Sequence, residues 1–86
     1  MYYAYILRSK SWPDQTYVGS TGSLRERLAA HNAGRSAHTS KFKPWELVIY
    51  AAFQEQRTAE KFERYLKSGS GRAFARRHLL RGKFLP

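Results

Sequence analysis

Strand-forming and turn-forming residues follow one another in the opening segment of the chain. Residues 1–7 are rich in Tyr, Ile and Leu and contain neither Gly nor Pro, which is typical of a β-strand. Pro13 and Asp14 then indicate a turn, and strand-type residues resume at 16–19. We therefore expect a hairpin with a long loop, whose second strand ends at Gly19.

The next segment, residues 24–33, has the pattern of a helix. Ser23 and Glu26 are spaced as a capping box, in which each side chain bonds the backbone N–H of the other residue. Two leucines four residues apart give the helix an apolar side, and Gly34 stands where a left-handed residue ends a helix. The sequence therefore predicts a capped helix directly after the hairpin.

A third strand is predicted at residues 45–53, after a polar and basic stretch at 35–44. By its β-branched and aromatic content this segment is the clearest strand in the chain. We expect it to be the central strand of the sheet, or at least a well-covered one.

Two further helices are predicted in the last third of the chain. From Thr58 onward, apolar residues fall at the three-and-four spacing of one buried stripe, and residues 68–71 end that helix. A last helix begins at about Arg72 and is closed by Gly82. The stripe consists of Ala59, Phe62 and Leu66; in the last helix Phe74, Ala75, His78 and Leu79 are expected to face inward and Arg72, Arg76, Arg77 and Arg81 outward.

This order of elements predicts an α/β fold, a small three-stranded and mainly antiparallel sheet flanked by about three helices (β-β-α-β-α-α). The length of 86 residues allows one domain, 1–86, because so short a chain cannot bury a second core. A sheet this small cannot enclose a large ligand cavity. Chemistry is therefore expected on a shallow surface, which suits a polymer substrate better than a metabolite, and no small-molecule cofactor is expected.

Charge indicates what that polymer is. Lys and Arg number 16 against 6 Asp and Glu, a formal charge of +10, which is tolerated when the partner is a polyanion such as nucleic acid. The basic residues run from Arg8 to Lys83 instead of lining one amphipathic helix, so no membrane partner is expected. The chain lacks cysteine and any apolar run near the roughly 20 residues of a membrane span, and we expect it in the cytoplasm, with association with the nucleoid left open.

The acidic residues limit the type of metal site. With six carboxylates in the whole chain, a two-metal site built from several of them is disfavoured, and one metal on one carboxylate is the natural alternative.

Four short motifs follow one another along the chain. They are Tyr3-Ala4-Tyr5, Tyr17-Val18-Gly19 with the helix that continues to Asn32, the segment 43–48, and the segment 63–72. In this order and at these spacings the sequence resembles a small, standalone GIY-YIG nuclease domain over most of its length. It departs from the pattern in the first motif, where Tyr3 stands in place of Gly.

The resemblance implies roles for four residues before the third strand. Arg27 would stabilise the charge on the pentacoordinate phosphate, and His31, four residues later on the same helix face, would help to organise the site. Tyr17 is implied as the better candidate for the general base, and Tyr5 would orient the water or the phosphate. The ordinary alternatives are a solvated Arg, a surface His near the helix C-terminus and two cross-strand aromatics.

The resemblance also implies a metal ligand, Glu63, at the margin of the apolar stripe. Glu60, one turn earlier, is the competing choice, and an exposed ion pair with Arg64 or Lys67 is the ordinary alternative for either. A single carboxylate suits one Mg²⁺ or Mn²⁺ that keeps most of its waters and borrows phosphate oxygens from the substrate.

Basic residues elsewhere are expected to contact nucleic-acid phosphates. They are Lys41 and Lys43 in the polar loop and Arg72, Arg76 and Arg77 on the last helix. Such contacts hold the backbone without distinguishing bases, so we expect steep salt dependence and little sequence specificity. A merely solvated basic surface is the alternative. His38 and His78 have no ligand spacing to another His and are expected to be structural.

Taken with the resemblance, these observations predict a metal-dependent endonuclease that cleaves phosphodiester bonds, with DNA favoured over RNA and DNA repair as one setting. A catalytically inactive nucleic-acid-binding module of the same fold is the alternative, and an adaptor that binds proteins through the Arg-rich helix is a third. The sequence leaves open whether the substrate is branched, flapped or linear, and whether the chain acts as an oligomer.

Overall fold

Three strands form one antiparallel sheet, in the order β2-β1-β3. The computed structural model describes residues 1–80. The strands are β1 (Tyr2–Ser9), β2 (Thr16–Thr21) and β3 (Trp45–Phe53). Both neighbours of β1 run antiparallel to it, and the predicted α/β fold with a three-stranded sheet is confirmed.

The central strand is β1, so the prediction that residues 45–53 form the central strand is wrong. Residues 4–9 are all buried, because β1 has a covering layer on each of its faces. β3 lies at an edge, where the side chains of Leu47 and Tyr50 are 36% and 52% exposed. β-branched and aromatic residues favour any half-buried pleated surface, so their content does not distinguish an edge strand from a central one.

Helices cover both faces of the sheet. The helical elements are α1 (Leu24–Asn32), a 3₁₀ turn (Ser40–Phe42), α2 (Gln56–Lys67), α3 (Gly69–Ala75) and a π-helical turn (Arg76–Leu80). On the face that we call the front, Tyr5, Leu7 and Trp45 pack against leucines of α1. On the back, Ile6 packs against Leu66 of α2 and Ala75 of α3. Successive residues of β1 thus belong to different cores, as the two-residue period of a strand requires.

The first helix begins where the sequence predicts, but the capping box does not form. Ser23 is the N-cap residue, and its side chain makes no capping hydrogen bond. Its backbone N–H instead donates to the hydroxyl of Thr21 at 3.1 Å, which gives the chain a turn before α1. Gly34 has the predicted left-handed conformation, with φ of 78°.

The segment 68–71 joins two helices more closely than predicted. α2 begins at Gln56 instead of Thr58 and ends before Ser68, whose hydroxyl accepts from the backbone N–H of Gly71 at 3.2 Å and caps α3. α3 therefore begins at Gly69 and not near Arg72.

Two residues of the last helix do not face inward as expected. Ala75 is buried and Leu79 half-buried, but Phe74 and His78 are exposed. Phe74 packs laterally, with ring centroids 6.2 Å from Tyr65 and 4.9 Å from His78. The inward side of this segment consists of Gly71, Ala75 and Leu79, spaced by four residues, and Phe74 and His78 each lie one position before it. Arg81 and Gly82 lie outside the described residues.

Within residues 1–80, no helix is both long enough and apolar enough to cross a membrane.

Replacing Gly71 by Ala should destabilise the fold, because the added Cβ would overlap the backbone carbonyl of Tyr65. We expect a loss of about 1–3 kcal/mol in the free energy of unfolding, measured by urea denaturation. Gly69→Ala is the matched control, since nothing lies within 4 Å of a Cβ at that position. Equal stability of the two variants would contradict the close approach of α3 to α2.

Candidate active site

The two motif tyrosines lie side by side on the front of the hairpin. Tyr5 is paired with Gly19, and Tyr17 is paired with Leu7, so both side chains project from the same face. Their ring centroids are 6.4 Å apart. A Cβ at position 19 would lie 2.5 Å from the hydroxyl oxygen of Tyr5 and 3.1 Å from Cε2 of Tyr17. The glycine of the second motif therefore makes room for both phenols, and β2 continues past it instead of ending there.

His31 is fully buried and is hydrogen-bonded through both ring nitrogens. Nε2 lies 3.1 Å from the hydroxyl of Tyr5, and Nδ1 lies 2.8 Å from Oγ1 of Thr39. Burial lowers the pKa of His31, and the positive charge of Arg27 lowers it further. The ring is therefore neutral at neutral pH and fixed in orientation, unlike the surface histidine of the ordinary alternative.

Arg27 lies one turn before His31 on α1 and is half-buried. Hydrogen bonding to Tyr5 raises the pKa of Arg27, burial lowers it to a smaller extent, and the charge of Tyr5 and a hydrogen bond to Tyr17 raise it again. The guanidinium thus lies close to both phenols and stays cationic. It is not the solvated arginine of the ordinary alternative.

The two tyrosines differ in their access to solvent. Tyr5 is 2% exposed and belongs to the front core, whereas Tyr17 is half-buried on the edge strand β2. Burial raises the pKa of Tyr5, and the hydrogen bond and charge of Arg27 oppose that rise only in part. Tyr5 is therefore a core residue and a site residue at once, and Tyr17 is the phenol that a water molecule can approach.

Glu63 approaches the site from the back of the sheet. Its Oε1 accepts from the hydroxyl of Ser20 at 2.7 Å, and its Oε2 is paired with Nζ of Lys67 at 2.8 Å. Burial alone would raise the pKa of Glu63, but hydrogen bonds from Lys67 and Ser20 and the charges of Lys67 and Arg64 hold it below its usual value. The carboxylate is ionised, and its charge contributes to the raised pKa of Tyr5 across the edge of β2.

The two alternatives considered for Glu63 have different outcomes. The ion pair with Lys67 is present, so this carboxylate is held in place and not freely solvated. Glu60, the competing residue, accepts from Nε2 of Gln56 at 3.2 Å and lines a small separate cavity with Tyr2 and Gly22. Glu63, and not Glu60, is thus the carboxylate of α2 that is coupled to the tyrosines.

The donor set decides which metal could bind here. Among the residues that the structure describes, no three His, Cys, Asp or Glu side chains are grouped to enclose a cation. Glu63 offers one ionised carboxylate whose oxygens each keep a second lone pair. That set fits Mg²⁺ or Mn²⁺ bound mainly by water and substrate oxygens, and it does not fit a cation held by protein ligands alone.

The basic residues predicted to bind nucleic acid lie on both faces of the sheet. Lys41 and Lys43 are exposed beside the 3₁₀ turn, which packs on the front core. Arg72, Arg76 and Arg77 are exposed on α3 and the π-helical turn, at the back. The structure therefore does not gather them into one patch.

Three residues that the sequence did not indicate hold the site together. Thr39 supports His31, and Ser20 supports Glu63. Asn32 bonds the backbone N–H and carbonyl of Trp45, at 2.5 and 3.1 Å, and the indole of Trp45 donates to the carbonyl of Thr39 at 2.9 Å. These bonds fix the loop 35–44 to the end of α1. Asn32 follows the His31 position directly, which is the one hint that the sequence contained.

Comparison with known proteins agrees with this geometry. The model of the GIY-YIG catalytic domain matches residues 1–77. The chain is similar to the UPF0213 protein CPE1444 of Clostridium perfringens, with 37% identity over 68 residues, 78% of this chain and 71% of that protein. A UPF0213 protein of Pediococcus acidilactici is 36% identical over 74 residues, 80% of this chain and 71% of the relative.

A longer relative carries a functional name. The structure-specific endonuclease subunit SLX1 of Podospora anserina is 38% identical over 69 residues, which is 73% of this chain but 20% of that protein. The front tyrosines, Arg27 and the ionised Glu63 thus belong to a nuclease of the α/β class. The chain belongs to the GIY-YIG catalytic domain family, so it is an endonuclease and its substrate is nucleic acid.

Neutral His31 should make the fold less stable in mild acid. The folded-state pKa of His31 lies below the unfolded value of 6.5, so between the two values the unfolded chain binds more protons. We expect the free energy of unfolding to fall as the pH is lowered from 7 through 6.5 toward 5. This range lies above 4.5, the ordinary pKa of the Glu63 carboxyl, so protonation of Glu63 does not contribute to the fall. Urea denaturation at each pH measures it.

The variant His31→Gln should lose this pH dependence over the same range, whatever its stability at neutral pH. His38→Gln, at an exposed position, is the control and should keep it. An unchanged slope in His31→Gln would show that His31 is not the group responsible.

Proposed function

We propose that this chain is a divalent-metal-dependent endonuclease that hydrolyses DNA phosphodiester bonds in the cytoplasm with little sequence specificity. One observation carries the proposal: Arg27 lies close to both phenols at the front, while the ionised Glu63 accepts a hydrogen bond from Ser20 on the other face of the edge strand β2. A phosphate at the edge of β2 would meet a cation, an accessible phenol and a carboxylate.

Tyr17 is the general base in this proposal. It is the more exposed of the two phenols, and the guanidinium of Arg27 lies close to it. In this proposal Tyr17 acts as the phenolate. It takes the proton of the water whose oxygen attacks the phosphorus, while the bond from phosphorus to the departing oxygen breaks. Tyr5 is held by His31 and in turn holds Arg27, so it positions the groups around Tyr17.

Arg27 stabilises the negative charge that develops on the phosphate. Its guanidinium lies close to the hydroxyls of Tyr5 and Tyr17, at the place where that charge would develop. Glu63 would hold the metal, with the hydroxyl of Ser20 keeping its carboxylate in orientation. A bound Mg²⁺ or Mn²⁺ would supply positive charge to the phosphate oxygens.

Charge supports nucleic-acid binding without base recognition. The five basic residues on the two faces are exposed, and the chain carries +10 in total. Contacts of this kind go to phosphates, which are the same in every sequence. SLX1 relatives are named as structure-specific endonuclease subunits, which favours DNA whose shape, and not its sequence, is recognised.

Replacing Glu63 by Gln should abolish metal-dependent cleavage while leaving DNA binding intact. Gln keeps the size of the side chain but removes the charge that attracts the cation, and we expect a fall of roughly 10²–10³ in the cleavage rate of labelled DNA with Mg²⁺ or Mn²⁺. Glu60→Gln, one turn earlier, is the matched control and should cleave normally. Binding without cleavage by the wild-type protein on every DNA form would favour the inactive binding module.

Replacing Tyr17 by Phe should remove the general base. We expect kcat to fall by roughly 10²–10⁴ and the remaining activity to lose the pH dependence that proton transfer gives the wild type. Tyr5→Phe breaks the bond to His31 and should retain the wild-type pH profile at a lower rate. A pH–rate profile that is unchanged in Tyr17→Phe and lost in Tyr5→Phe would reverse the two assignments.

A further inference from the structure

A groove of about 780 Å³ lies at the back of the sheet, between the edge strand β2 and the helices α2 and α3. Tyr17 is at its margin, with its side chain projecting from the front face, so the groove reaches the edge strand that carries the proposed base. Lys67 lines it too, and this residue is the ion-pair partner of Glu63. The groove therefore adjoins both the proposed base and the ion pair of Glu63, and the proposed hydrolysis does not use it.

The floor of the groove is apolar. Its accessible part is formed by the half-buried side chains of Val18 and Leu80. Ile6, Leu66 and Ala75 also line it, but each is at most 5% exposed. Ligand sites with such floors span roughly 300–1,000 Å³, and the groove falls within that range. It is large enough for one or two nucleotides and too small for a second protein domain.

The rim of the groove is cationic. Lys67, Arg72 and Arg76 line it, and both arginines are exposed, whereas Asp14 is the acidic residue among the lining. An anion is therefore the complementary occupant.

An apolar floor with cations along its rim matches an unstacked nucleotide. In single-stranded recognition the bases lie on apolar or aromatic surface and the phosphates lie on Lys and Arg. A continuous duplex keeps its bases stacked inside and offers phosphates alone, so it would leave the floor unused. The shape of the groove thus distinguishes an unpaired strand from a paired one.

We propose that this groove binds unpaired nucleotides next to the scissile phosphate, so that the preferred substrate is a single strand or the single-stranded arm of a branch. The inference rests on the proposed function, since it extends the same site. The strand passes from Tyr17 around the edge of β2, and its bases lie on Val18 and Leu80 with phosphates on Arg72 and Arg76.

The test measures binding of the full-length protein to two labelled DNA duplexes of equal length, one blunt and one with a single-stranded arm. A chelator prevents cleavage. The wild type should prefer the armed duplex. Arg72→Gln with Arg76→Gln should reduce that preference about tenfold and reduce the salt slope of arm binding by about 1.4, at about 0.7 per lost single-strand phosphate contact.

Arg57→Gln with Lys61→Gln is the matched control. These two residues are exposed on α2, lie outside the groove lining and carry the same charge. The control should keep the wild-type preference for the arm. If both double variants lose affinity equally on both DNA forms, the arginines provide general charge only, and the inference is wrong.

A second variant tests the groove without changing charge. Thr16 is exposed on the groove wall, so Thr16→Trp should fill the groove and remove the preference for the arm, while Gln54→Trp, exposed elsewhere, should not. An arm preference that survives Thr16→Trp overturns the inference, as does a wild type that binds both duplexes equally. If the groove binds a protein in place of DNA, binding of the armed duplex should be unchanged in all four variants.

Failure of this inference differs from failure of the proposed function. If the wild-type protein cleaves DNA in Mg²⁺ or Mn²⁺ but shows no preference for the arm, the proposed endonuclease activity stands and the proposed groove site is wrong. If the wild-type protein binds the arm through the groove but cleaves no DNA, the groove site stands and the proposed activity is wrong.

Discussion

The imidazole of His31 is the link on which the geometry of the site depends. It is buried between the hydroxyl of Tyr5, on the central strand, and that of Thr39, in the loop 35–44. A polar ring without water can stay there only if both nitrogens have partners, so strand, helix and loop must keep one relative position. The position of Arg27 is tied to that of His31, because the guanidinium lies close to the hydroxyl of the same tyrosine, Tyr5.

The acidic half of the site depends on the other helical layer. Glu63 is brought to the sheet by the apolar stripe of α2 and is oriented by Ser20, whose neighbour Gly19 is packed against Tyr5 on the opposite face. Gly19 and Ser20, which are successive residues of β2, thus support the two halves of the site: Gly19 makes room for the tyrosines on the front, and Ser20 orients Glu63 on the back. This arrangement requires an edge strand, since a further strand beside β2 would separate the halves.

The sequence predicted the elements better than their arrangement. The strands and helices follow from local periodicity, so their order and approximate bounds were correct. The position of β3 depends on which strand is covered on both faces, and the exposure of Phe74 depends on which side of α3 packs on the back core; neither is local. Thr39 could not be predicted, because a hydroxyl in a polar loop has no periodicity that points to a buried imidazole.

The position of Tyr17 on an edge strand has a consequence for how a long polymer can enter. A site enclosed on all sides must be threaded by a free terminus. Here Tyr17 is half-buried at an open margin, and a chain can be laid against it laterally at any point along its length. Covalently closed circles are then accommodated as readily as linear molecules, because the polymer can enter the site without a free terminus.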